Sequence, residues 1–253
     1  MTIFSNRPQA IASMKADRLA RLAANYGISP SDEEIYDKLL SAEADLERQL
    51  RTWFSPREVI PTVALQAEED ALVAAGATVE REPGYDYNPS MWQGDTWGMI
   101  QLRQRPLIAV HRISFYYPGP TTQVWEIPPT WFRVDPKPGL VSLVPDQTAV
   151  AMPLNAFILS WMAGARTVPL MVQVRYSAGL TDVAGKWPDL MDTIKKQAVL
   201  SILDDEFLPT SGSVSADGLS QSISMDSSKY RDLIDARVER LRQAMRGIRL
   251  TVV

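Results

Sequence analysis

The segment VPLMVQVRYSAGLTDVAGKWPDLMDTIKKQAVLSILDDEF, residues 168–207, changes hydrophobic period once along its length, and that change sets the fold class. Val168 to Tyr176 alternates as a strand does and stops at Ser177-Ala178-Gly179, a turn signal. Trp187-Pro188-Asp189 then puts proline at the first position of a helix, where its missing N–H removes no hydrogen bond. Leu190 or Met191, Ile194, Ala198, Ile202 and Leu203 carry one apolar face on to Phe207, and Pro209 closes it. A strand feeding an amphipathic helix, with separate helical and β regions on either side, predicts an α+β chain.

Upstream, residues 29–54 hold the clearest helical pattern. Ile35, Leu39, Ala42, Leu46, Leu50 and Trp53 recur at steps of three or four and form one stripe. Ser31 followed by Glu34 reads as a capping box, with Asp32 and Glu33 favouring the positive end of the helix dipole. The opposite face is acidic: from Ser31 to Leu50 there are seven acidic residues against Lys38 and Arg48. Between Pro83 and Pro153, which hold 11 of the 18 prolines, apolar runs such as Leu107 to Tyr117 alternate with turn punctuation. That segment reads as β, with Trp92, Trp97, Trp125 and Trp131 as a mini-core of its own. Leu154 to Met162 reads as a short buried helix.

Downstream, Thr210 to Ser228 is rich in Ser and Gly and reads as an extended loop. A last helix runs from Ser228 to about Arg246, with the stripe Tyr230, Ile234, Val238, Leu241 and Met245. Its other face is basic, and Arg231 with Asp235 and Glu239 with Arg242 are spaced to pair along the helix. From Asp226 to Val253 there are seven basic residues against four acidic ones, although the 253-residue chain as a whole carries a formal charge of −4.

Composition narrows the chemistry. The overall charge excludes a strongly basic nucleic-acid binder. With no cysteine and a single histidine there is no Cys/His zinc site, thiol nucleophile or disulfide framework. Arg7, Lys15, Asp17, Arg18 and Arg21 interrupt the apolar runs of Met1 to Ala24, so no signal peptide or membrane span is expected and the chain reads as cytosolic where it is made. His111, expected on the strand side of Ile113, Phe115 and Tyr117, has no identifiable orienting partner and reads as structural. Glu80, Glu82, Asp86 and Asp95 lie among aromatic residues, as in a sugar site, but nothing fixes the carboxylate separation glycoside hydrolysis needs. No phosphate-binding glycine loop is present, and neither a catalytic residue nor a cofactor or metal site is assigned. Two other readings stay open: a carbohydrate-binding module using Trp92, Trp97 and Trp125, or a small nucleic-acid-binding protein using the C-terminal arginines.

The order of several motifs resembles a known family. The acidic helix with its Trp53-Phe54 end, then "RYSAGL" (175–180), then "WPDLMDTIKKQAVL" (187–200) is similar to the head-tail connector, or adaptor, proteins of tailed bacteriophages. The family pattern of a strand ending Tyr-x-Ala-Gly, a short loop and a Pro-initiated helix with a Lys-Ala pair is matched by Tyr176, Ala178, Gly179, Pro188, Lys196 and Ala198. "EPGYDYNP" (82–89), "LRQRPLIAVHRISFYYPGP" (102–120), "SGSVSADGLSQSIS" (211–224) and "KYRDLIDARVERLRQAMRG" (229–247) resemble the larger adaptors of long-tailed phages.

The resemblance implies a small antiparallel helix bundle carrying an inserted Pro-rich β domain and an extended C-terminal helix and tail. Its expected organisation is an arm over 1–28, bundle parts over 29–82 and 154–209, an insertion over 83–153, a loop over 210–228 and a portal-docking element over 229–253. It implies a non-enzymatic virion protein of the neck, assembled in the bacterial host cytoplasm. Its partners would be the portal protein, neighbouring copies in a dodecameric ring, and the next neck or tail-completion protein. Double-stranded DNA would pass through the lumen without tight binding, and no membrane is involved. Portal contacts would fall to Tyr230, Ile234, Val238, Leu241, Arg242, Met245, Arg246, Arg249 and Val253. The acidic helix would line the channel through Asp37, Glu43 and Glu47, where negative charge repels phosphate over about 8 Å at physiological salt.

Overall fold

The computed structural model describes residues 2–25, 27, 29–88, 98–116, 123–146, 167–206 and 228–246. The chain divides into two compact units, one formed by residues 1–51 with 182–244 and the other by 52–181 with 245–253.

The first unit is helical: α1 (Arg7–Lys15), α2 (Arg18–Asn25), α3 (Asp32–Leu50), α5 (Val183–Lys186), α6 (Pro188–Glu206) and α7 (Ser228–Arg246). The Ser31 hydroxyl accepts from the Glu34 amide at 3.2 Å, the expected N-cap, and α3 ends where Arg51 turns into the left-handed region. Its stripe of Ile35, Leu39, Ala42, Leu46 and Leu50 is buried, each leucine being worth about 1.5–3 kcal/mol of apolar transfer. This face packs on α6, whose Leu190, Ile194, Ala198 and Ile202 are buried in turn. The two helices run antiparallel: Lys38, early in α3, reaches Ser201 and Asp205, late in α6, while Asp45 accepts from Gln197 at 2.6 Å.

The second unit is built on a sheet in the order β2-β1-β9-β5-β6, from β1 (Arg57–Pro61), β2 (Val79–Glu82), β5 (Leu107–Tyr116), β6 (Gln123–Glu126) and β9 (Val168–Ala178). β3 (Tyr85–Tyr87) pairs with the first half of β9. β4 (Gly98–Gln101), β7 (Phe132–Asp135) and β8 (Leu140–Leu143) form a second, three-stranded sheet in the order β4-β8-β7. One shared core joins both sheets, with Val59, Ile113, Val172, Val174 and Tyr176 from the first and Ile100, Val141 and Leu143 from the second.

The mixed α+β class is as expected, but the boundaries of the β region are not those read from the sequence. The expected insertion over 83–153 is no separate layer: β5 pairs along β9, β9 pairs with β1, and β1 pairs in parallel with β2. Residues 57–61 and 79–82, expected in the first bundle part, and 168–178, expected in the second, are therefore strands of the same sheet. Trp125 and Trp131 belong to this shared core, Trp125 stacking on Phe115 at 5.9 Å and meeting Trp131 edge-on at 5.7 Å. Trp92, Trp97, the helix expected over 154–162 and the loop expected over 210–228, except Ser228, which opens α7, lie outside the described residues.

Candidate functional site

Three motifs that lie far apart in sequence meet at one buried carboxylate. Glu82, 8% exposed, accepts from the Tyr176 hydroxyl at 2.7 Å, from Arg103 Nη1 at 2.8 Å and from the Tyr85 hydroxyl. The Arg103 guanidinium lies 4.1 Å from the centre of the Tyr85 ring. The Arg103 and Gln104 amides donate to the Tyr85 and Tyr176 hydroxyls at 3.0 and 3.3 Å. Burial first, and the adjacent negative Glu82, push the Tyr85 hydroxyl well above the usual tyrosine range. Burial also raises Tyr176, with Tyr85 and Glu82 adding to it. Both phenols therefore stay protonated at physiological pH and act as hydrogen-bond donors. A buried acid with three donors, one of them a cation, is satisfied, and the network locks β2, β3 and β9 together.

The turn after β9 is equally determined. Gly179 has φ +119°, and a Cβ built there would lie 2.5 Å from the Ser55 carbonyl oxygen. Its amide donates to Pro106 O at 2.9 Å and the Leu180 amide to Trp53 O at 2.9 Å. The "RYSAGL" motif thus meets the Trp53-Phe54 motif backbone to backbone, and Phe54 is buried beside it in sequence.

His111 stands on the other face of the sheet from Ile113 and Phe115, contrary to the alternation expected for β5. The register slips by one residue between Val110 and Arg112, and this bulge turns His111 toward Ser177. His111 Nε2 is 2.5 Å from Ser177 Oγ and 3.4 Å from Glu58 Oε2, while the Ser177 hydroxyl donates to Glu58 Oε1 at 2.7 Å. A hydrolytic triad needs the carboxylate on the second imidazole nitrogen and the hydroxyl proton directed to Nε2. Here the acid and the hydroxyl share Nε2 and the hydroxyl proton goes to the acid, so the three groups tie β5, β9 and β1 together and build no nucleophile. Two further acids of the aromatic-rich segment are also engaged: Glu80 pairs with Arg57 at 2.9 Å and Asp86 accepts from the Leu170 amide at 3.0 Å. Asp95 lies outside the described residues.

The residues expected at the portal divide into two sets. Ile234, Val238, Leu241 and Met245 are covered by the chain itself, with Leu241 3% exposed, so the stripe is core and is withdrawn as a free docking face. Tyr230 is half-buried, and its hydroxyl is buried without a hydrogen-bond partner among the described residues. α7 is fixed by ion pairs to α6: Arg231 pairs with Asp204 at 2.7 Å, in place of the expected Asp235, and Arg237 pairs with Asp192. Desolvation acts to raise the Asp192 carboxyl, but the Lys196 and Arg237 cations and hydrogen bonds outweigh it and hold it below the usual carboxylate range. Arg242 pairs with Glu239, as expected, and donates to Gln49 O at 3.1 Å. Arg240 is exposed and contacts the Ala236 carbonyl of its own helix. A polar cleft lined by Asp189, Asp192, Thr193, Arg237, Arg240 and Leu241 lies between α6 and α7. Arg246 ends α7, and Arg249 and Val253 lie outside the described residues.

The acidic face of α3 also divides. Asp37 is exposed and Glu47 half-buried, whereas Glu43 is 5% exposed, which withdraws it from any channel surface. Its carboxylate accepts from the Thr2 hydroxyl and from the Ile3 amide at 2.9 Å, pinning the N-terminal arm on α3. Periodicity alone put Glu43 on the polar face; the arm that covers it comes from 40 residues away. Desolvation raises the Glu43 carboxyl above its ordinary value, against the hydrogen bonds from Thr2 and Ile3. A raised folded-state value means that this group's stabilising contribution is full below the ordinary glutamate range and falls as pH rises through the raised value. Glu43→Gln keeps an acceptor without the buried charge. Near pH 7 it should melt no lower than wild type and, above the ordinary glutamate range, lose one titrating group from its stability profile, as thermal unfolding across pH will measure.

Among the described residues no cluster of three or more acidic or histidine side chains is arranged to hold a metal ion, and no helix is long and apolar enough to cross a membrane. No family model and no curated protein matches the chain. Two solved structures are similar to it at low level. One is the neck of an empty gene transfer agent particle computed with C6 symmetry, at 12% identity over 95% of this chain and 94% of that one, TM-score 0.40. The other is the virion of a native gene transfer agent particle, at 14% identity over the same shares and TM-score 0.40. Likeness at that level assigns neither fold nor function, and the functional reading rests on this chain's own residues.

Proposed function

We propose that this protein is a structural virion component, a head-to-tail connector that forms a ring under the portal and joins the capsid to the neck, with DNA passing through its lumen. The observation that carries the reading is the resemblance of ordered motifs, together with what those motifs do in the fold. "EPGYDYNP", "LRQRPLIAVHRISFYYPGP" and "RYSAGL" supply Glu82, Tyr85, Arg103 and Tyr176 to a single buried network. The Pro-initiated helix packs antiparallel on the acidic one, the arrangement the resemblance implies. These motifs converge in space, so the residues that carry the resemblance form one structural unit of this chain. In this reading the channel contribution of α3 falls to Asp37 and Glu47, and portal docking falls to the arginines of α7 and to the tail.

The test is to mix the purified chain with rings of the portal protein encoded in the same genome and to follow the mixture by sedimentation and electron microscopy. The expected result is a second ring of density under the portal, with the chain in ring stoichiometry. Portal rings that stay bare at both low and physiological salt would overturn the assignment.

A further inference from the structure

The face of the large sheet turned away from its apolar core carries a line of arginines. Arg81 is in register with Ile60, Val59 with Tyr176, and Arg112 lies directly opposite Arg175. Arg81, Arg175 and Arg112 therefore fall in one row across β2, β1, β9 and β5. Like charges directly opposite on neighbouring strands repel, so the row needs anions.

The anions come from α4 (Gln66–Ala74). Glu68 binds Arg112 through both carboxylate oxygens, at 3.0 and 3.2 Å, and binds Arg175 at 3.0 Å. Glu69 pairs with Arg81 at 2.7 Å, and Gln66 accepts from the same guanidinium at 3.1 Å. None of the nine residues of α4 is buried. Leu65 before it and Val73 within it are 76% and 56% exposed. A nine-residue helix is too short to be stable alone in water, and this one is docked largely by charge, which salt screens. Nor does it satisfy the row fully: among the described residues, Arg175 Nε is buried without an acceptor.

We propose that the Arg81–Arg175–Arg112 row is a binding site for an acidic peptide segment of a partner protein, and that α4 is a built-in ligand which occupies the row in the free chain and yields to that segment. The charge and geometry that select the occupant are those α4 displays: two adjacent carboxylates, one of them shared between two converging guanidinium groups. Release of α4 would also uncover the half-buried Leu72, beside the already exposed Leu65 and Val73, for the incoming protein. This inference stands independently of the connector assignment.

Octaglutamate is the probe. Fluorescence anisotropy of the labelled peptide with the full chain at about 20 mM salt should show binding that about 500 mM salt removes. Glu68→Gln/Glu69→Gln, which disables the built-in ligand and keeps the arginines, should bind the peptide at least about tenfold more tightly, because the competent open state is then no longer a minor fraction. In the wild-type chain, amide hydrogen exchange over residues 66–74 should accelerate when the peptide is added, a readout that survives even if the double variant folds poorly. Absence of peptide binding to the wild-type chain at low salt, unchanged exchange in α4 on saturation, or tighter binding of a short DNA duplex than of the peptide would each overturn the proposal.

Discussion

Gly179→Ala should destabilise the chain by about 3–5 kcal/mol. Two costs combine. A φ of +119° lies where L side chains are strained by about 1–3 kcal/mol. The new Cβ would also sit 2.5 Å from Ser55 O, 3.1 Å from Ser55 C and 3.3 Å from Trp53 O, all of them backbone atoms with no rotamer to move into. Relief by shifting the turn would break the bonds from the Gly179 amide to Pro106 O and from the Leu180 amide to Trp53 O. Gly76→Ala is the control: Gly76 has φ +84°, but a Cβ there meets nothing within 4 Å, so only the backbone cost of about 1–2 kcal/mol remains. Urea unfolding of the two variants measures the difference. Equal losses would mean that the close approach at Gly179 relaxes freely.

The contrast between those glycines shows what a sequence can and cannot reveal. Local signals were legible: Ser31 caps α3, Pro188 opens α6, β9 stops at Ala178, and α7 spans Ser228–Arg246. Each is fixed by neighbours a few residues away. The partners were not legible, because they are set by long-range register. Arg57–Pro61 has charged residues in two of five positions and ends in proline, which hides a strand whose Glu58 is matched by Ser177 and whose Arg57 is matched by Glu80. Nothing in the residues around Glu82 marks it as buried, because its donors are Tyr176, 94 residues away, and Arg103. His111 was assigned to the wrong face because a one-residue bulge inverts side-chain alternation and leaves no trace in the residue pattern. Amphipathicity found the buried stripe of α7 but not its owner: the same periodicity serves a helix that docks on a partner and one that docks on its own chain.

That ambiguity leads to the second large effect. Leu241→Ala should cost about 2–5 kcal/mol in folding stability, since Leu241 is 3% exposed and its neighbours in the stripe are equally covered, so that truncation leaves a cavity. Arg240→Glu, on an exposed residue, should change stability by no more than about 0.5 kcal/mol. If portal docking uses the cationic surface of α7, the effects on assembly should be reversed. Arg240→Glu should reduce co-sedimentation with portal rings, most strongly at low salt where the attraction is least screened, while Leu241→Ala at a temperature well below its melting point should still join them. Deleting everything after Ser228 cannot make this distinction, because it uncovers the apolar face that α7 protects and so removes docking and folding together. The charge-reversed variant isolates the surface. If Arg240→Glu alone, and then together with Arg242→Glu, still joins the portal at wild-type stoichiometry at every salt concentration, the helix contributes to the subunit's own core and the portal contact must be sought elsewhere on the chain.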